Sequence, residues 1–174
     1  AAMPAWKDGD SLATRTASGK CMVALAAKVP WLFGGDADLG GSTKTIVPGG
    51  DHDRTGAGRN LRFGVREHAM GAILNGLSLS KIRPYGSGLL VFSDYGRPPI
   101  RLAAIMEIPV IYIFTHDSIS VGEDGPTHQP VEHLAALRAI PGLMVMRPGD
   151  ANEVVEAYKV VMQLKNKPAA MILT

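Results

Sequence analysis

The 174-residue chain has the length of one ordinary domain, and its charge is nearly balanced, with 18 Lys and Arg against 16 Asp and Glu. The net charge of +2 argues against a dedicated nucleic-acid-binding protein, which usually carries a clustered basic face. No apolar run approaches the roughly 18 residues of a membrane span, and no signal-peptide pattern is present, so we predict no membrane association. The single cysteine, Cys21, excludes an internal disulfide framework and favours a cytoplasmic location.

Helical patterns alternate with short apolar strands along the chain. Residues 1–12 are polar and irregular and predict a linker, so the domain is expected over residues 13–174. Helices are predicted over residues 14–29, 66–80, 97–106 and 130–139 and after Asp150. Strands are predicted over residues 31–33, 83–85, 89–92, 110–114, 143–146 and 169–173. This alternation predicts an α/β fold, a three-layer sandwich with a mostly parallel central sheet.

The glycines and prolines inside the predicted helices lead to expectations about how closely these helices pack and where their first turns lie. Gly71 and Gly76 each cost helix stability, so we expect them to pack closely against another backbone. Pro98 and Pro99 are placed in the first turn of the helix over 97–106, where proline is tolerated.

Polar loops follow several predicted strands, at residues 34–42, 93–97 and 115–129. In parallel sheets, ligands bind beyond the carboxyl ends of the strands. We therefore expect the functional site to be built from these three loops.

The densest of these loops carries His116, Asp124 and His128 after the most apolar strand. Histidine titrates near neutrality, and it suits proton transfer to sugar or carbonyl oxygens. Two alternatives stay open: a polar loop that merely caps the next helix, and a metal site formed by these three side chains. The metal site lacks the spacing of a known ligand motif.

Glu67 is predicted in the first turn of an otherwise apolar helix. An exposed carboxylate there would only complement the helix dipole. A buried carboxyl group could instead share a proton with a ligand nitrogen.

The Gly-rich loop that ends at Ser42 lacks the Lys-Ser/Thr ending of a P-loop and the spacing of a dinucleotide fingerprint. Arg15 and Ser42 could together bind an anion, although isolated residues of these types usually have no special role.

These three constellations together resemble the transketolase family over nearly the whole chain. The resemblance is to the pyrimidine-binding domain of that thiamine-diphosphate enzyme. It is carried by the runs at residues 63–71, 92–95 and 115–134, and also by residues 13–15 and 37–39.

The resemblance implies a role for each candidate residue. Glu67 would hydrogen-bond a ring nitrogen of the cofactor aminopyrimidine, and Phe92 would stack on that ring. The remaining roles fall into three groups: cofactor contacts from Tyr95, Asp38 and Leu39; proton transfer to the sugar by His116 and His128; and substrate binding by Asp124 at the C2 hydroxyl and by Arg15 and Ser42 at the phosphate.

This sequence also departs from the family pattern at two positions. A second aromatic residue, common three positions before Phe92, is Leu89 here, so the pocket would lose one aromatic wall. Arg62 stands where relatives often have His, and we attach no consequence to that.

The resemblance further implies parts that this sequence does not contain. The family holds the diphosphate through Mg²⁺ or Ca²⁺ in a separate domain with a Gly-Asp-Gly motif, which is absent here, so no metal ligand is expected in this chain. The apolar run at its end looks cut from a longer protein. We expect an inactive isolated chain, a homodimer that binds the diphosphate domain of a partner subunit, and two-carbon ketol transfer between sugar phosphates in the pentose phosphate pathway. A sister enzyme such as dihydroxyacetone synthase, and a non-catalytic dimerisation or assembly module, are the alternatives.

Overall fold

The computed structural model describes residues 2–7 and 9–174, and within these residues six strands form one parallel sheet. The strands are β1 (Leu32–Asp36), β2 (Asn60–Arg62), β3 (Arg83–Leu89), β4 (Ile111–Thr115), β5 (Met144–Met146) and β6 (Ala169–Ile172). The helices are α1 (Thr14–Ala26), α2 (Gly40–Thr43), α3 (Glu67–Leu79), α4 (Ser93–Ile105), α5 (His133–Arg138) and α6 (Ala151–Gln163).

The strand order in the sheet is β2-β1-β3-β4-β6-β5, and every neighbouring pair is parallel. Helices α1 and α6 pack together on one face, and α3 and α4 pack together on the other. The predicted three-layer α/β sandwich is thereby confirmed.

The central strands send side chains into two separate hydrophobic cores. Ile111, Ile113 and Met171 pack with α1 and α6, whereas Tyr112 and Phe114 pack with α3 and α4. All five side chains are buried, because a parallel sheet covered by helices on both faces leaves no wet side. This explains why β4 is apolar from Ile111 to Phe114 and polar only at its last residue, Thr115.

Strand β1 extends to Asp36, three residues beyond the predicted strand over 31–33, so the predicted loop over 34–42 was wrong at its beginning. Glycine has a low intrinsic preference for strands. Here the two glycines are needed for close approach of the backbones. A Cβ atom at Gly34 would lie 1.9 Å from the carbonyl oxygen of Tyr85, and one at Gly35 would lie 1.7 Å from that of Leu61.

Strand β3 ends at Leu89, so the predicted strand over 89–92 was also wrong. Residues 90–92 form a 3-10 turn, and α4 begins at Ser93 instead of residue 97. Pro98 and Pro99 consequently lie in the second turn of α4 and not in its first. The early start of α4 matters for the site, because it places Phe92 directly before a helix.

The glycines of α3 behave differently from each other. A Cβ atom at Gly71 would lie 2.6 Å from the ring of Pro99, which confirms close packing there, although against a side chain rather than a backbone. Gly76 faces open space, so close packing at that position was wrong. The buried face of α3 includes Glu67, whereas Ile73 is 47% exposed.

The segment before α1 has no helix or strand in its described residues, yet it contacts the domain. The side-chain amide of Asn152 donates to the carbonyl oxygen of Trp6 at 3.2 Å, and the Trp6 amide donates back to the Asn152 side chain at 3.2 Å. Across the described residues, no helix combines the length and apolarity needed to cross a membrane.

Candidate active site

The candidate site lies along the carboxyl edge of the sheet, where the strands end and polar loops begin. Glu67 follows β2, Phe92 follows β3, and His116 follows β4 directly. Because all strands are parallel, these chain positions meet at one edge. The expected location of the site is therefore consistent with the fold.

Glu67 is the first residue of α3 and is only 6% exposed, although it is a carboxylic acid. No hydrogen bond or ion pair joins its carboxyl group to another of the described residues. Buried acids are normally paired, so a carboxyl group of this kind calls for a ligand partner. It lines a cavity of about 440 Å³ together with Val65, Arg66, His68, Phe92 and Tyr95.

Two aromatic rings form one wall of the cavity that this acid lines. The ring centroids of Phe92 and Tyr95 are 6.3 Å apart, and Tyr95 is 65% exposed. The ring of His128 meets that of Phe92 edge-on, with the centroids 5.3 Å apart. Leu89 is buried at the end of β3 and is not among the residues that line this cavity.

A second cavity of about 360 Å³ gathers three of the predicted substrate residues, Arg15, His116 and Asp124. Its remaining lining residues are Asp117, Ser118, Ser120, Val121, Glu123 and Thr174. His128 lines neither cavity, but its contact with Phe92 places it beside the cavity of Glu67.

Both candidate histidines are held in the same way by a preceding threonine. Nδ1 of His116 lies 2.8 Å from the hydroxyl of Thr115, and Nδ1 of His128 lies 2.8 Å from the hydroxyl of Thr127. This pairing leaves Nε2 of each ring available for a ligand. The repeated Thr-His dipeptide is the sequence signal that could have identified the two threonines.

The backbone of His116 is left-handed, with φ of 57°, a conformation that few non-glycine residues adopt. Burial lowers the pKa of its imidazole below 6.5, and the positive charges of Arg15 and His128 lower it further, whereas Asp124 and Asp117 oppose this. His116 is therefore neutral at pH 7, as a general base must be.

We expect two substitutions of charged residues near His116 to shift its pKa in opposite directions. Arg15→Gln is expected to raise the pKa of His116, and Asp124→Asn is expected to lower it, in an NMR titration of the imidazole. Lys20→Gln, an exposed change on the same helix as Arg15, should leave the pKa unchanged. Shifts of Arg15→Gln and Asp124→Asn in the same direction would contradict this electrostatic account.

The lowered pKa of His116 also makes the stability of the native state depend on pH. The unfolded chain takes up the proton first, at the ordinary value of 6.5. The native state therefore loses stability as the pH falls from about 6.5 to below the folded pKa, and it loses none from this group at higher pH.

The loop after β1 is organised by a residue that sequence reasoning missed. One carboxylate oxygen of Asp36 accepts from the amide of Leu39 at 2.9 Å, and the other accepts from the guanidinium of Arg62 at 2.7 Å. Arg62 also pairs with Asp51 at 3.0 Å. Arg62 thus has a structural role that the sequence did not suggest.

The predicted residues of that loop have different environments. Asp38 is exposed with a left-handed φ of 67°, and Leu39 is half-buried. Ser42 is exposed on α2 and lines neither of the two cavities described above. The structure therefore does not bring Ser42 into the cavity that Arg15 lines, and joint binding of a phosphate by Arg15 and Ser42 stays a prediction.

Arg15 is positioned by the other end of the described chain. The hydroxyl of Thr174 accepts from the amide of Thr14 at 3.0 Å, and its carbonyl oxygen accepts from the amide of Arg15 at 3.3 Å. These bonds satisfy two of the free amides at the start of α1. They also bring Arg15 beside the loop that follows β4.

Asp117 lies in the same cavity and was likewise missed. Its side chain is 4% exposed and accepts from Nε of Arg147 at 2.7 Å. Arg147 follows β5, so this ion pair joins two loops that are 30 residues apart.

Among the described residues, the group of side chains close enough to share a metal ion is Asp94, Glu132 and His133. The predicted alternative of His116, Asp124 and His128 is not such a group. In the first group the carboxylates face different ring nitrogens of His133, Nε2 for Asp94 and Nδ1 for Glu132. The two nitrogens of one imidazole point in different directions, so this arrangement does not suit a single ion.

Comparison with known proteins shows which family the chain resembles. Residues 10–174 match the family model "Transketolase, pyrimidine binding domain". A transketolase of Geobacillus stearothermophilus is 54% identical over 177 aligned residues, which cover 100% of this chain and 26% of that protein. The chain therefore spans about a quarter of the length of this curated relative.

Solved structures agree with the fold. A transketolase of Pichia stipitis in complex with sedoheptulose-7-phosphate superposes with a TM-score of 0.94 at 41% identity, over 99% of this chain and 27% of that one. A split-gene transketolase, described as an inactive beta4 tetramer, superposes with a TM-score of 0.74 at 29% identity, over 94% of this chain and 52% of that one. The chain belongs to the transketolase family, and residues 10–174 are its pyrimidine-binding domain.

Proposed function

We propose that this chain supplies the pyrimidine-binding half of a transketolase active site, in which a two-carbon ketol unit passes from a ketose phosphate to an aldose phosphate. The observation that carries the proposal is Glu67, a largely buried acid that has no partner among the described residues and lines one cavity with two aromatic rings. The substrates, the partner and the pathway belong to the proposal as well.

The residues around Glu67 fit the aminopyrimidine of thiamine diphosphate. A flat heterocycle with ring nitrogens requires an aromatic face and a carboxyl group, and the cavity provides both through Phe92 and Glu67. Glu67 would hold a proton between its carboxyl oxygen and a ring nitrogen. When bound, the cofactor supplies the carbon centre that carries the two-carbon unit.

The cavity beside His116 would take the sugar phosphate. Arg15 offers a guanidinium, which binds phosphate through paired N–H groups. His116, neutral at pH 7, would accept a proton from a sugar hydroxyl at Nε2, and His128 would act beside Phe92. Asp124 would accept a hydrogen bond from a hydroxyl of the donor sugar and so read its stereochemistry.

A second polypeptide or domain would complete the site. Mg²⁺ or Ca²⁺ and the diphosphate would be held there, and we propose that the complete enzyme is a homodimer in the cytoplasm. Exposed apolar side chains on and beside α3 and α4 support self-association, since soluble monomers rarely show such clusters. They are Val65, Ile73, Tyr95, Leu102 and Ile105, with exposed fractions from 47% to 77%.

Reconstitution tests this proposal. The chain alone, supplied with thiamine diphosphate, Mg²⁺, xylulose phosphate and ribose phosphate, is expected to show no ketol transfer. Adding the diphosphate-binding domain of a related transketolase should restore turnover. Turnover by the chain alone would contradict its expected inactivity, and a folded, assembled complex that stays inactive would contradict the proposed function.

A further inference from the structure

Asp94 lies within the segment that forms the aromatic wall, between Phe92 and Tyr95. Its side chain is 56% exposed, and one carboxylate oxygen lies 3.1 Å from Nε2 of His133. His133 is the first residue of α5 and is only 5% exposed. A buried imidazole therefore holds an exposed carboxylate directly beside the cofactor cavity.

A second bond repeats the connection one turn further along α4. The guanidinium of Arg97 donates to the carbonyl oxygen of Ala136 in α5 at 3.1 Å. Helix α5 follows the loop that carries His116 and His128, and His128 itself contacts Phe92. The aromatic wall and the substrate loop are thus joined at three points.

Packing alone does not account for a histidine at position 133. Its Nδ1 is buried and has no hydrogen-bond partner within residues 2–7 and 9–174, and the carboxylate oxygen of Glu132 is 3.8 Å away. An unpaired buried polar atom costs stability, whereas an apolar side chain would fill the same space without that cost. The gain from histidine is the hydrogen bond that Nε2 makes to Asp94.

We propose that His133 is a positioning residue for the cofactor site: through Asp94 it sets the orientation of residues 92–95, so that the rings of Phe92 and Tyr95 line the cavity beside Glu67. This inference rests on the proposed function, because it gives those rings a pyrimidine to bind. A hydrogen bond to a charged group that fixes such a segment corresponds to a change in ligand affinity of about ten- to a hundredfold.

The test uses the complete enzyme that carries this domain, with His133→Leu and His133→Gln as the main variants. Leucine removes the donor, whereas the amide of glutamine can still donate to Asp94. Calorimetric titration of the apoenzyme with thiamine diphosphate is expected to give a Kd about tenfold higher or more for His133→Leu and within about threefold of the parent for His133→Gln. The kcat at saturating cofactor should change by less than about threefold in both variants.

Asp94→Ala guards against a folding defect, because Asp94 is largely exposed and its loss leaves no cavity. It should raise the Kd as much as His133→Leu does, and the double variant should be no worse than either single one. Glu132→Gln is the matched control and should leave the Kd unchanged, since its carboxylate makes no hydrogen bond to His133.

Two results would overturn the inference: an unchanged Kd in His133→Leu and Asp94→Ala, or equal losses in the leucine and glutamine variants. Both are distinct from failure of the proposed function, which would appear as a parent enzyme that neither binds thiamine diphosphate nor transfers a ketol unit.

Discussion

Glu67→Gln is expected to lower the kcat of the complete transketolase by about 10²- to 10⁴-fold, the usual contribution of a positioned proton-transfer group. Glutamine has the size of glutamate, so the cavity beside Phe92 and Tyr95 keeps its shape. The amide cannot exchange a proton with a ring nitrogen, however, and only this function is removed. The measurement is steady-state ketol transfer at saturating thiamine diphosphate.

Glu156→Gln is the matched control for this substitution, because Glu156 lies on the exposed surface of α6 and pairs with Lys159. It should leave kcat unchanged, and its free energy of unfolding should change by less than about 0.5 kcal/mol. A Glu67→Gln enzyme that keeps more than about a tenth of the parent kcat would contradict the assigned role.

Gly35→Ala is expected to destabilise the domain by about 3 kcal/mol or more, since overpacking that only backbone can relieve lies at the upper end of its usual range. The added Cβ would lie 1.7 Å from the carbonyl oxygen of Leu61, so β1 and β2 must separate. For a domain of this size the melting temperature should fall by roughly 6–12 °C in a thermal denaturation followed by circular dichroism.

Gly88→Ala is the control for Gly35→Ala, because it is also a strand glycine but has no atom within 4 Å of the added Cβ. Its melting temperature should stay within roughly 4 °C of the parent. Equal losses in the two variants would show that glycine is needed at both positions for a reason other than backbone approach.

The fold class could be predicted because alternation is a local property. Apolar runs such as that of β4 and the amphipathic segments between them appear directly in the chain, and parallel sheets follow from that order. Prediction was weaker at glycines and prolines. Strand β1 was cut short at Gly34, and the start of α4 was placed four residues late, since intrinsic preference is overruled by tertiary contacts.

The candidate site was predicted in part, for a similar reason. Glu67, Phe92 and His116 stand in recognisable runs, and each follows a strand at the same edge of the sheet. The residues that position these side chains were not predicted, because the sequence around a threonine or an aspartate does not show which residue it contacts. Only the repeated Thr-His dipeptide at residues 115–116 and 127–128 offered a sign of such a contact.

By itself, the sequence determined the α/β architecture and the family, and it pointed to the candidate site residues. The tertiary structure alone decided which distant residues meet: Thr174 with Thr14, Arg62 with Asp36, and His133 with Asp94. The physical reason is the strand order β2-β1-β3-β4-β6-β5. Alternation of helices and strands is compatible with many strand orders. Each of these side-chain pairs forms only in a strand order that brings its two loops together.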